Sequence, residues 1–209
     1  MAFSKKTRQE AITKVQNEEM DLLIIGGGIT GAGLALQAAA TGMKVAVLEM
    51  QDFSEGTSSR STKLVHGGIR YLKNFDVEVV SDTVSERAVV QSIAPHIPKP
   101  DPMLLPIYDD EGKTTFDMFS VKIAMDLYDR LAGVDEGSPY ANYTISPEEV
   151  LRREPLIKKK GLQGAGIYLD YRNNDSRLVI DNIKKAVDDG AQAISKMKVI
   201  DFIYTDGQI

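Results

Sequence analysis

Two hydrophobic patterns alternate along this chain. Short unbroken apolar runs occur at 21–25 (DLLII) and 44–49 (KVAVLE). Such runs suit strands of a parallel sheet, where both faces are covered. Between them, GGGITGAGLALQAAATG turns sharply into a helix with small residues on its packing face and stops at Gly42. This β–α–β order predicts parallel pairing through a right-handed crossover. Residues 76–97 have helical spacing, ended by Pro95 and Pro98. A strand entering a turn follows at 102–116, and an amphipathic helix at 115–133 is closed by Gly133. Residues 134–145 read as a loop. SPEEVLRREP has the capping-box pattern, with Ser146 at N-cap, Pro147 at N1 and Glu149 at N3. A strand at 164–175, a helix at 176–191 and a last strand at 194–205 complete the series.

These elements sort into an N-terminal charged helix at 1–19 and an α/β layer at 20–74 that resumes at 174–209. The excursion between them, 75–173, reads as mostly helical with some strand. The expected fold class is therefore α/β: a Rossmann-like dinucleotide-binding domain carrying an inserted α+β substrate or cap region. KVIDFIYTDGQI reads as a strand, an Asp-Gly turn and the start of a returning strand, so the chain reads as the N-terminal portion of a longer protein.

Composition narrows the functional classes. The net charge of −5 over 209 residues argues against a nucleic-acid binder. The absence of cysteine excludes disulfides, cysteine–metal sites and thiol nucleophiles, and it suits a reducing cytoplasm. No metal site is expected. No apolar run approaches the roughly 20 residues that cross a bilayer.

Gly26, Gly28 and Gly31 match G-x-G-x-x-G between an apolar strand and a helix. The first glycine permits the tight turn, the second admits a pyrophosphate to the backbone, and the third lets helix and strand approach. The helix-start amides then bind phosphate. Glu49 closes the second strand eighteen residues after Gly31. A carboxylate there accepts ribose hydroxyls and repels a 2′-phosphate, which leaves FAD or NAD. A nicotinamide enzyme would continue with another strand–helix repeat. This chain instead has a polar stretch, TSSRSTKLVHGGIRYLK, at 57–73. Thr57, Ser58, Ser59, Ser61 and Thr62 offer hydroxyls to a pyrophosphate and a ribityl chain. Gly67 and Gly68 offer bare backbone to a flat ring, which favours FAD. His66, Arg70 and Tyr71 then lie on the substrate side, and the arginine fork suits a phosphate or carboxylate. A structural role for His66 is the competing reading, while the other histidine, His96, is assigned to structure.

DLLIIGGGITGAGLALQAAATG, VAVLEMQDF and GTSSRSTKLVHGGIRYL together resemble the FAD-dependent glycerol-3-phosphate dehydrogenases. The distinctive part is SSRSTKLVHGGIRYL, and SERAVVQSIAPHI continues the likeness. The charged N-terminal helix, MQDFSEGTSSRSTKLVHGG and YLDYRNNDSRLVIDNIKKA are similar to the bacterial α-glycerophosphate oxidases within that family. The resemblance implies non-covalent FAD along Gly26–Gly31, Glu49 and 57–68, of glutathione-reductase type, with Val199 near the adenine. It implies glycerol 3-phosphate beside His66 and Arg70, a C2 hydride passing to flavin N5, and dihydroxyacetone phosphate as product. It further implies O2 as acceptor in oxidases, giving H2O2, or a quinone at a membrane in dehydrogenases.

Two other classes compete. An amino-acid or sarcosine-type flavin oxidase shares the glycine turn but not KLVHGGIRYL, and often attaches flavin through a cysteine that this chain lacks. A non-catalytic nucleotide-binding module is the other. The helix at 115–133 carries Asp117, Asp126 and Asp129, which makes it a poor anchor for anionic lipid.

Overall fold

The computed structural model describes residues 4–109 and 116–205. It divides into two compact units, Met1–Lys63 with Asn174–Ile209, and Leu64–Asn173. The first junction falls at Lys63, where the sequence reading drew it after Asn74. The physical reason is that Leu64–Val65 pair with a long strand of the second unit, and Ile69 and Leu72 sit in its core.

The first unit holds α1 (Lys5–Asn17), β1 (Leu22–Ile25), α2 (Ile29–Ala40), β2 (Val45–Leu48), and, after the excursion, α6 (Asp175–Asp188) and β7 (Gln192–Ile194). Its three strands are parallel in the order β1-β2-β7, with Leu22 opposite Val45 and Val47 opposite Ala193. The small residues Ala32, Ala35, Ala38 and Ala39 of α2 let it settle onto Ile24, Val45 and Val47, and α6 adds Val179, Ile183 and Ala186. Leu23 and Ile25 remain 42% and 55% exposed, so β1 is buried on one face only, where its apolar run suggested two.

The last strand differs from the sequence reading. Pairing with β2 stops at Ile194; Lys196 then adopts φ +56, and the Lys196 and Met197 amides bond to the Gln51 and Glu49 carbonyls. Residues 197–204 carry no strand pairing, and Ile200 and Ile203 are 87% and 86% exposed. The Asp-Gly turn of 206–207 and the turn of 110–115 lie outside the described residues. The N-terminal helix is docked: Arg8 donates to the Ser195 carbonyl at 2.8 and 3.0 Å.

The second unit contains β3 (Leu64–Val65), α3 (Val77–Ile93), β4 (Lys99–Tyr108), α4 (Met118–Leu131), β5 (Tyr143–Ile145), α5 (Pro147–Arg153) and β6 (Leu162–Arg172). It holds more strand than the sequence suggested. β6 is antiparallel to β4, β3 and β5. Pro100, Pro102 and Pro106 recur at even spacing in β4, which among the described residues pairs only with β6. That spacing keeps the missing N–H groups on the unpaired edge, where proline costs no ladder bond. Ser146 caps α5 by accepting from the Glu149 amide. The carboxylate of Glu149 does not complete the box, because Arg152 and Arg153 hold it at 2.6–2.7 Å.

Candidate functional site

The predicted site residues divide between the two units. In the first, Gly26, Gly28, Gly31, Glu49 and Ser58 come together at the C-terminal end of β1. Gly26 has φ +110, which a residue with a side chain rarely adopts. A Cβ on Gly31 would run into the Gly26 carbonyl oxygen, so the start of α2 touches the end of β1 only because position 31 is bare. Glu49 turns back over this corner. One carboxylate oxygen accepts the Gly27 amide at 2.7 Å and the other the Gln51 amide at 2.7 Å. A carboxylate has about four acceptor directions, so capacity remains for hydroxyl donors.

The polar stretch meets the same corner. Ser58 Oγ accepts the Ile29 amide, at the first residue of α2, at 2.9 Å. Ser54, which the sequence reading passed over, is 1% exposed; its amide donates to the Gly27 carbonyl and its hydroxyl to the Ser58 carbonyl. Ser58 thus sits against an amide at the positive end of α2, where anions bind. Ser59 donates back to the Gly56 carbonyl at 3.3 Å. Ser61 donates to Asp175 in the first turn of α6, and its oxygen accepts the Lys63 amide at 2.9 Å. Its hydroxyl is thereby engaged within the protein. Thr57 and Thr62 are exposed. Val199 lies two residues beyond Met197, whose amide holds the Glu49 carbonyl at 2.8 Å. A cavity of about 650 Å³ lies against α1, lined by Arg8, Ala11, Phe53, Val187 and Ala193; no predicted site residue lines it.

His66, Gly67, Gly68 and Arg70 lie in the second unit. His66 and Arg70 are exposed. The Arg70 guanidinium is 5.2 Å from the centre of the Tyr71 ring, a cation–π contact. Gly68 takes φ +69. The Gly67 amide points inward, donating to Tyr128 Oη at 2.8 Å and to Asp170 Oδ1 at 3.2 Å. Tyr128 in turn is 3.1 Å from the same Asp170 oxygen. Arg87 Nη1 donates to Asp170 at 2.7 Å, to Tyr128 at 3.1 Å and to the Leu169 carbonyl at 3.2 Å. Burial pushes the Tyr128 phenol far above the ordinary tyrosine range, helped by the Asp170 charge. Burial likewise raises the Asp170 carboxyl, against the pull of Arg87, and takes Tyr168 up to about 12. The sequence reading missed this network. Its one-dimensional signal is Arg87, which shares the stripe of Val80 and Val84 in α3 and is 3% exposed.

A parallel α/β layer with a bare-backbone turn, a helix start pressed against it and an acid closing the second strand defines a dinucleotide-binding protein. Residues 21–209 match the family of FAD-dependent oxidoreductases, and the chain belongs to it. The chain is 96% identical, over all 209 residues, to the alpha-glycerophosphate oxidase of Lactococcus lactis, and covers 34% of that protein. To the alpha-glycerophosphate oxidase of Enterococcus casseliflavus it is 66% identical over 206 residues, 99% of this chain and 34% of that protein. Among solved structures it is similar to the glycerol-3-phosphate dehydrogenase of Bacillus halodurans complexed with FAD. There the TM-score is 0.70 and the identity 39%, over 99% of this chain and 32% of the other. The chain thus spans about a third of the length of these relatives. FAD is the family's cofactor, and among the described residues no helix is long and apolar enough to cross a membrane.

Proposed function

We propose that the whole protein oxidises glycerol 3-phosphate to dihydroxyacetone phosphate with FAD, and that O2 takes the electrons and leaves as H2O2. The observation that carries this is the 96% identity to an alpha-glycerophosphate oxidase over all 209 residues. The donor set fits the cofactor. The bare Gly26–Gly31 corner and the start of α2 suit a pyrophosphate, Glu49 suits the ribose hydroxyls, and Val199 suits the adenine side. When bound, FAD supplies the two-electron acceptor that takes hydride from C2 and passes the electrons to oxygen.

The chain's own residues have the remaining tasks. Arg70, an exposed guanidinium backed by Tyr71, anchors the substrate phosphate. His66, exposed beside an anchored peptide, accepts the C2 hydroxyl proton or hydrogen-bonds that hydroxyl. Ser58, Ser59, Thr57 and Thr62 line the pyrophosphate and ribityl side; Ser61, held by Asp175, acts there by fixing the loop. A cytoplasmic setting accords with this substrate and with the cysteine-free composition.

Anaerobic addition of glycerol 3-phosphate to the FAD-loaded whole protein should bleach the flavin band. Admitted oxygen should then restore it with one H2O2 per substrate. The similarity to a dehydrogenase keeps one alternative, a quinone-linked enzyme. Rapid reduction of a quinone-like dye with little peroxide would select it. Failure to bleach would remove both.

A further inference from the structure

We propose that Tyr128, seated against Arg87 and Asp170, is a positioning residue that sets the orientation of the His66–Gly67 peptide and so the reach of His66. This rests on the reading of His66 given above. Three observations support it. First, the Gly67 amide is the one N–H of the polar stretch seen to enter this buried network, and it finds two acceptors there, at 2.8 and 3.2 Å. A single N–H held by both a phenol and a carboxylate has little freedom to rotate. Second, the network is built rather than incidental. Tyr128, Arg87 and Asp170 are 0%, 3% and 2% exposed, and the Arg87–Asp170 ion pair is 2.7 Å long. Burying that pair is expensive, and apolar residues of similar volume often serve stability as well or better. Third, the space is closed around Gly67. A Cβ there would strike Val84 Cγ1 and the Tyr128 hydroxyl. The glycine is thus needed so that the backbone can come down onto the phenol.

The phenol keeps its proton, because burial and the Asp170 charge both oppose its loss. It accepts from the Gly67 N–H and donates to Asp170 Oδ1, the same oxygen that accepts from Arg87 Nη1. The chain from Arg87 to Gly67 is one continuous set of polar contacts. His66 is the residue immediately before its end, and its side chain is exposed.

The test is a double-mutant cycle in the FAD-loaded whole protein, using Tyr128→Phe and His66→Gln. Tyr128→Phe leaves Gly67 its second acceptor, Asp170. It should keep FAD content and KM within about twofold while slowing substrate-driven bleaching roughly tenfold, since a misplacement on the ångström scale costs that much or more. In the His66→Gln background, Tyr128→Phe should slow bleaching no further, because the two residues then act as one unit. Equal slowing in both backgrounds, or no slowing by Tyr128→Phe alone, would overturn the inference and leave the reading of His66 intact. If His66→Gln alone bleaches at the normal rate, both fall. Hydrogen exchange on the unaltered protein is the check that needs no variant: the Gly67 amide should be protected although its neighbour His66 is exposed, and rapid exchange would refute the anchoring.

Discussion

Two glycines of α2, two positions apart, should respond to the same substitution with opposite sign. A methyl group on Gly31 would overlap the Gly26 carbonyl oxygen and lie 3.2 Å from its carbon and 3.3 Å from Ile24 Cγ2. Backbone cannot yield as a side-chain end does, so the start of α2 must lift off β1. Overpacking of this kind costs about 3 kcal/mol, the upper part of its usual range. For a unit of this size that is a fall in melting temperature of roughly 12–24 °C. Lifting also displaces the Ile29 amide from Ser58 and the helix start from the phosphate position, so FAD content should drop at least about tenfold. A Cβ on Gly33 meets nothing within 4 Å. There alanine merely improves helix propensity, by about 1 kcal/mol, and should raise the melting temperature by roughly 4–8 °C with FAD retained. The assays are thermal unfolding followed by flavin fluorescence, and the ratio of flavin to protein absorbance after purification. If Gly31→Ala keeps its FAD and melts with the parent, the close approach of α2 and β1 is not what holds the nucleotide corner.

With Arg70 holding the substrate phosphate as proposed, Arg70→Ala should raise KM for glycerol 3-phosphate at least about tenfold while leaving FAD content unchanged; loss of FAD instead would place this arginine on the cofactor. Arg87→Met should cost about 3–5 kcal/mol in urea unfolding, because Asp170 would be left buried without its partner; a loss below 1 kcal/mol would mean that solvent reaches the carboxylate. Tyr168 gives a pH test. Its folded-state pKa, up to about 12 from an ordinary 10.0, means that the native state keeps a proton which the unfolded chain releases. Stability should therefore be full below pH 10 and decline between 10 and 12, by about 2 kcal/mol from this residue. Urea midpoints of Tyr168→Phe should fall less steeply over that window, and parallel curves would refute the assignment.

The β1–α2–β2 corner was legible because its requirements are local. A turn with φ +110, a helix start pressed against a carbonyl and an acid at the end of the next strand each demand one residue type at a set spacing. The long helices α4 and α6 were legible for a similar reason, since an apolar stripe repeats over several turns. β3 and β5, of two and three residues, are too short to show a period, and what makes them strands is the partner β6. The last strand went astray on the same principle. VIDFIY looks more like a strand than Gln192–Ile194 does, yet β2 pairs with the latter, and the bend at Lys196 takes the chain out of register. Pairing partners, not propensity, decide such cases.

The polar stretch carries a different lesson. Hydroxyls, cations and glycines at 57–73 read as contacts for FAD and its substrate, and only part of that density faces outward. Ser61 is spent on Asp175, 114 positions away, and Gly67 on Tyr128, 61 positions away. Neither partner is marked by spacing. A charged residue within an apolar helical stripe is the exception, because a buried guanidinium must find an anion and hydrogen-bond acceptors. Val80, Val84 and Arg87 form such a stripe in α3, and the carboxylate paired with Arg87 is also the one that accepts the Gly67 amide. Polar density in a flavoprotein loop therefore has two sources, the ligand and the scaffold that aims the loop. The buried misfit on a neighbouring helix is the mark of the second.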